Sequence, residues 1–319
     1  MQPTPGDVHV DAALTDMSIA YMQGEMNYIA GSAFAAKPVN FKSDKYHIFT
    51  KNDWFRDDTV VKRAPGEKAP RAGFTLSTDT YSAEPWWTAV PINELIRANA
   101  DPAVPLDIAA SRLVMQRMLI RRENLFAAEF MNTDGVWGTD VTGGTDFTQW
   151  DDASSDPEQD IQTGKRTVLQ NTGLEPNTLV VSMDVHLALK RHPLIKDRFK
   201  YTSAESISGA LLARFFEVDR YMIARGVYAT NKEGGSSAMA FSVGKHALLY
   251  YFNGSPSIMQ PTAATIFVWA GLTGMNDVGV RIDQYYDQEE KCDVVRGEFA
   301  FDMKVTGADL GYRFKNAVD

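Results

Sequence analysis

The residues of this chain with the capacity for chemistry are few, and their spacing does not suit it. Its histidines are His9, His47, His186, His192 and His246. His186 and His192 lie six positions apart, so one helix does not bring them to a common face, and no glutamate completes an HExxH pair. Each reads as a surface or partly packed imidazole. Gly244-Lys245 lacks the upstream glycine and the following Ser or Thr of a phosphate-binding loop, and neither GxSxG nor GxGxxG occurs. Cys292 is the only cysteine and stands among acidic residues that disfavour its thiolate. A lone cysteine also excludes an intrachain disulfide and fits a reducing compartment. The acidic run Asp151, Asp152, Asp156, Glu158 and Asp160 lacks the spacing and mid-loop glycine of a calcium loop and reads instead as the start of a helix. No catalytic, metal or cofactor site is expected.

Elements built for mechanics are easier to find. Two extended runs, Tyr46 to Val61 and Gly73 to Val90, flank a turn-rich tip, KRAPGEKAPRA. Such a hairpin is marginal alone in water, so Trp54, Phe55, Trp86 and Trp87 need a partner surface, in this chain or in a second copy. Before it, the first 45 residues read as an arm, with a short helical candidate at Leu14 to Gln23. After it, Leu106 to Met131 is the strongest helix of the sequence, about 39 Å long. Pro105 and Asp107 suit its start. Ile108, Met115, Met118, Leu119, Leu125 and Phe126 form its expected apolar stripe. Arg112, Arg117, Arg121 and Arg122 occupy much of the remainder, as a solvated face or as contacts to carboxylates of adjacent subunits. In the Gly- and Asp-rich loop that follows, Trp137, Phe147 and Trp150 argue that parts of it dock. A helix capped by Asp156, opened by Pro157 and stopped at Gly173 comes next.

Composition fits a structural subunit. The chain has 319 residues, 44% hydrophobic and 23% charged, enough for two domains and a substantial core. A formal charge of -9 and a pI near 5.1 disfavour tight, sequence-independent gripping of nucleic acid, though not its enclosure. No secretory signal opens the chain, and its longest apolar run, Ala264 to Leu272, is too short for a membrane span. The Asn253-Gly254-Ser255 sequon therefore carries no weight, and synthesis in the cytosol is expected.

The strand TLVVS, the helix LALKRHP stopped at Pro193 and the following IKDRFKYT resemble the axial domain of the major capsid proteins of tailed double-stranded-DNA bacteriophages, the Hong Kong 97-type fold. The order of parts extends the resemblance over almost the whole chain. It implies an α+β subunit with an N-terminal arm at 1–45, an extended loop at 46–90 and a peripheral domain with its spine helix at 91–172. An axial domain at 173–264, return strands of the peripheral domain at 265–306 and a last strand at 307–319 complete it. The later sequence agrees, with a helix at Ile207 to Phe216, a strand through Val218, Tyr221 and Ile223, strands in SVGKHALLYYF and ATIFVWAG, and a long hairpin from Val280 to Val305.

The resemblance further implies self-assembly into hexamers and pentamers of an icosahedral shell that encloses DNA. Its partners would be a scaffolding protein, expected as a separate chain, a portal, and decoration or protease proteins. The basic tip, Lys62, Arg63, Lys68 and Arg71, is expected to meet the acidic patch Asp151 to Asp160 of another subunit. The turn Asp287, Glu289, Glu290 and Lys291, with Arg281 and Arg296, falls where three subunits meet, and salt bridges between copies are expected there. Some members of the resembled family join subunits by a lysine–asparagine bond. Lys62 and Lys68 offer an amine, but no asparagine lies between Tyr285 and Asp293, so no cross-link is expected. A nanocompartment shell of the encapsulin type is the alternative, and a soluble oligomeric enzyme a weaker one.

Overall fold

The computed structural model describes residues 24, 27–49, 51–63, 65–66, 68–99, 106–199, 208–232, 234–236, 238–255, 257, 260–271 and 280–319. The helical candidate Leu14 to Gln23 lies outside them. The described chain opens on a turn at 29–33 and enters β1 (Ala35–Val39), whose Pro38 is tolerated because β1 is an edge strand. Then come β2 (Ser43–Phe49), the one-turn helix α1 (Lys51–Trp54), β3 (Leu76–Ser82), β4 (Glu84–Asn93) and α2 (Glu94–Asn99). The spine is α3 (Leu106–Phe126), which continues as a π-helical turn over Ala127–Asn132.

Beyond the spine lie β5 (Thr139–Thr142), α4 (Pro157–Thr172), β6 (Thr178–Ser182), α5 (Met183–Arg191), α6 (Pro193–Phe199) and α7 (Gly209–Phe215). They are followed by β7 (Arg220–Ala224), β8 (Val227–Ala229), β9 (Met239–Phe241), β10 (Ala247–Tyr250) and β11 (Ala264–Trp269). The last elements are β12 (Val280–Asp287), β13 (Cys292–Val305) and β14 (Gly311–Lys315).

Two five-stranded sheets organise these elements. In the first, β1, β11, β13 and β12 lie in that order, β4 runs along β13, and the β1–β11 pair is parallel. The second runs β5, β14, β10, β6, β7. Every residue of β6 is buried, as its unbroken apolar run predicts for a strand covered on both faces. The spine helix crosses the first sheet and the core there continues through Phe34, Phe126, Phe130 and Trp137. A second core, around Trp150, Leu179, Leu189 and Phe314, packs against the second sheet.

Several sequence expectations meet their outcome here. Asp156 caps α4 by accepting the Gln159 N–H at 3.1 Å, and Gly173 ends it in the left-handed conformation at φ 72°. Pro193 both stops α5 and opens α6, where a first-turn proline loses no hydrogen bond. The expected helix from Ile207 is described from Gly209, with Ser208 as its cap.

The run from Gly73 to Val90 divides at Ala83 rather than forming one arm of the hairpin. Its first part, β3, pairs with β2, whereas β4 pairs with β13 from Glu84↔Phe301 to Asn93↔Cys292. Trp86 and Val90 find a home against the core below, which an alternating pattern cannot announce. The buried stripe of the spine is also shifted. It consists of Ala110, Val114, Met118, Glu123 and Phe126, while Ile108 is 53% exposed.

The helix sits close because β13 carries Gly297 beneath it. A Cβ at that position would lie well inside contact distance of Met118 Sδ and Val114 Cγ1. Gly297→Val is therefore expected to destabilise the subunit by about 1–3 kcal/mol or more through overpacking, read as a lower urea midpoint. An unchanged midpoint would mean that the helix is not seated on this strand.

Candidate assembly surfaces

The extended loop is rooted by aromatic packing and polar ties to its own subunit. Tyr81 stacks on Phe267 at 4.5 Å between ring centres, with Tyr46 at 5.5 Å, and the Ser82 N–H donates to Asp302 at 2.8 Å. Lys51 pairs with Asp309 at 2.6 Å. Asp53 accepts from the Thr75 N–H at 2.7 Å and the Thr75 hydroxyl at 2.5 Å, which holds its carboxyl below the usual range. Beyond this root the loop turns apolar side chains to solvent: Trp54, Phe55 and Phe74 are 53%, 66% and 65% exposed. The tip cations Lys62, Arg63, Lys68 and Arg71 are exposed as well. Trp87 on β4 is exposed, whereas Trp86 beside it lies under the Arg121 guanidinium at 4.5 Å and is packed.

The acidic stretch separates into two kinds of carboxylate. Asp156 caps α4, Asp160 accepts the Trp150 indole N–H at 2.8 Å, and Arg198 donates to Glu158 at 3.2 Å. Burial pushes the Asp160 carboxyl up. Asp151 and Asp152, by contrast, line an open groove of about 660 Å³ together with Asp146 and Asp319. Asp152 also accepts from the Ser154 N–H and hydroxyl, which lowers its carboxyl.

At the end of the long hairpin, Asp287 folds the turn by accepting the N–H groups of Glu289 and Glu290 at 2.9 and 3.2 Å. Lys291 adopts φ 48°. Arg281 and Arg296, expected to answer the turn, have carboxylates nearer to them on the sheet. Arg281 pairs with Glu298 at 2.9 Å, and Arg296 makes a two-pronged pair with Asp283 at 3.0 and 2.6 Å. Cys292 is buried behind the turn, and burial raises its thiol.

Of the described histidines, His47 is exposed on β2 and the other three serve packing. His186 Nδ1 meets the Tyr221 hydroxyl at 3.0 Å, and the buried His192 meets the Ser155 hydroxyl at 3.1 Å. His246 accepts the Asn316 N–H at 3.1 Å, and its burial holds the imidazole down at about 4. Among the described residues, no group of three or more His, Cys, Asp or Glu side chains is placed to hold a metal. None of the described helices is long and apolar enough to cross a membrane.

Two interior polar centres carry no motif. Arg313 on β14 is fully buried and donates to the carbonyls of Met131 at 2.9 Å and Thr133 at 2.6 Å. It also pairs with Asp134 and, at 3.1 Å, with Asp140. Glu123 is buried within the spine helix and accepts the Ala30 N–H at 2.9 Å. Both look like ordinary surface charges in the sequence. Only their partners, 93 and more than 170 positions away, reveal them.

No family model matches the chain. In sequence it is 25% identical over 228 residues to the major capsid protein of Burkholderia phage BcepMu, a match covering 70% of this chain and 71% of that one. In structure it is similar to a phage-related protein of Bordetella bronchiseptica, with a TM-score of 0.69, 25% identity and 97% of each chain covered. A capsid structure of cyanophage P-SCSP1u follows at TM-score 0.60 and 11% identity, covering 93% of this chain and 90% of that one. The encapsulin SrpI of Synechococcus elongatus shares the fold at TM-score 0.57 and 14% identity, covering 97% and 95%. The fold is that of the Hong Kong 97-type shell proteins. Within that class the chain resembles the major capsid proteins of tailed phages.

Proposed function

We propose that this chain is the major capsid protein of a tailed double-stranded-DNA bacteriophage, assembling into hexamers and pentamers of an icosahedral head and residing in the virion. The observation that carries this reading is a shell fold spanning nearly the whole chain, with an extended hairpin that leaves Trp54, Phe55 and Phe74 more than half exposed. Its role is mechanical, not catalytic. The acidic balance suits a container that does not grip its genome at every subunit. A scaffolding protein, a portal and decoration proteins are the partners that such a head would require.

Electron microscopy of the purified protein, with assay of enclosed nucleic acid, tests the proposal. Closed particles holding double-stranded DNA from an infected host support it. Closed particles that never hold DNA favour the encapsulin-like reading, which rests on the shared fold. A compact monomer or dimer under all conditions would overturn both.

The acidic turn is where three copies would meet. Like charges at about 4 Å cost on the order of 4 kcal/mol at an effective dielectric of 20, so Asp287, Glu289 and Glu290 need cations from neighbours. Because Arg281 and Arg296 already have carboxylate partners on the sheet, Lys291 of a symmetry mate is the proposed answer. Glu289→Ala with Glu290→Ala is expected to lower the melting temperature of the shell while leaving the isolated subunit unchanged. Shells that melt at the wild-type temperature would show the turn to be merely solvated.

A further inference from the structure

The spine helix holds an acid where a helix packed on both sides should be apolar. Glu123 is 0% exposed. Its Oε2 accepts the Ala30 N–H, but its Oε1 has no hydrogen-bond partner. The segment it holds is the turn at 29–33, where the N-terminal strap passes over the helix before entering β1. Arg122 supports the same turn from beside it: a Cβ on Gly31 would rest 3.5 Å from its guanidinium, which also lies over the Phe301 ring at 5.6 Å. Gly226 closes the other side, for a Cβ there would lie 2.8 Å from Glu123 Cγ. The carboxyl thus joins three separated parts of the chain at one point.

We propose that Glu123 is a proton-operated clasp, which fastens the N-terminal strap to the spine helix when neutral and loosens it when ionised.

The charged and titratable groups around it are few. Arg122 lies on the same helix and Tyr28 on the strap. On the third side Gly226 offers no charge, and Arg225 next to it acts on His186. Burial, the largest influence, outweighs the Ala30 and Ile29 N–H groups and Arg122, and lifts the carboxyl from 4.5 to about 7. A carboxyl raised on folding stabilises the closed form fully below its unfolded value of 4.5, and that stabilisation is lost as pH rises through about 7. Ionisation leaves a buried charge with an unsatisfied oxygen, and the simplest relief is to admit water by lifting the strap. The clasp belongs to the chain itself, so its test is independent of what the shell contains.

Amide hydrogen exchange at Ala30 in the full chain, corrected for intrinsic rates and followed from pH 5.5 to 8.5, reads the clasp directly. Wild-type protection should fall by up to tenfold per pH unit from pH 5.5 to about 7 and level off above, as a one-proton linkage between 4.5 and about 7 requires. In Glu123→Gln, which keeps the shape without titrating, protection should be independent of pH. Parallel profiles in the two proteins would overturn the proposal. If the variant does not fold, the wild-type profile still decides, because pH-independent protection of Ala30 between pH 6 and 8.5 excludes a titrating clasp.

Discussion

Arg313→Ala is expected to lower the unfolding free energy of the isolated subunit by about 3–5 kcal/mol, the scale seen when one member of a buried ionic cluster is removed. The arginine reaches three structures at once. Its own strand, β14, lies between β10 and β5, and Asp140 stands directly opposite it on β5. Its guanidinium donates to the carbonyls of Met131 and Thr133, at the end of the spine. A helix end leaves its last carbonyls without intrahelical donors and carries partial negative charge, so a cation there satisfies both needs. Asp134 completes the contact, held down at about 2 by Lys315 and Arg313. Alanine would leave Asp140 without this partner and the spine carbonyls uncapped inside the protein. Urea unfolding of the free subunit measures the effect, and a loss below about 1 kcal/mol would show that the spine is tied to the second sheet by apolar packing alone.

What the sequence displayed of this fold was whatever depended on neighbours in the chain. Asp156, Pro157 and Gly173 mark both ends of α4 because caps act within one turn. The Val280–Val305 hairpin is legible from alternation around an acidic turn. Tertiary choices were not. β4 and β3 share one extended pattern, and only the room beneath the spine decides that Trp86 packs while Trp87 remains exposed. The parallel β1–β11 pair joins residues more than 200 positions apart through a strand, AAKPV, that carries a proline. On the surfaces the sequence named charged segments but could not divide them. Asp156, Glu158 and Asp160 are tied to α4, Arg198 and Trp150, whereas Asp151 and Asp152, which accept from Asp319 and Ser154, face an open groove. Glu123 stayed hidden for the same reason, since nothing local distinguishes a buried acid from a solvated one on an arginine-rich helix.

Reversing Lys62, Arg63, Lys68 and Arg71 together to glutamate is expected to abolish particle formation while leaving a folded subunit. The segment from Lys62 to Arg71 now carries four basic residues against one acidic, net +3, and the reversal turns it to -5. Each of the four is exposed, so the fold loses no buried contact. The proposed receptor is the open groove of another copy, with Asp146, Asp151, Asp152 and Asp319 along it. A single exposed pair contributes about 0–1 kcal/mol, but every copy in a ring both gives and receives such a contact. Reversal converts each attraction into repulsion between like charges and opposes docking before the loop's aromatic side chains can be covered. Wild-type assembly should also slow as salt rises, because the Debye length is only about 8 Å at 0.15 M. Size-exclusion chromatography and electron microscopy give the particle yield, and circular dichroism confirms the fold. Normal particles from the fourfold variant would remove the basic tip from the assembly contact and leave the loop's exposed Trp54, Phe55 and Phe74 to direct docking without it.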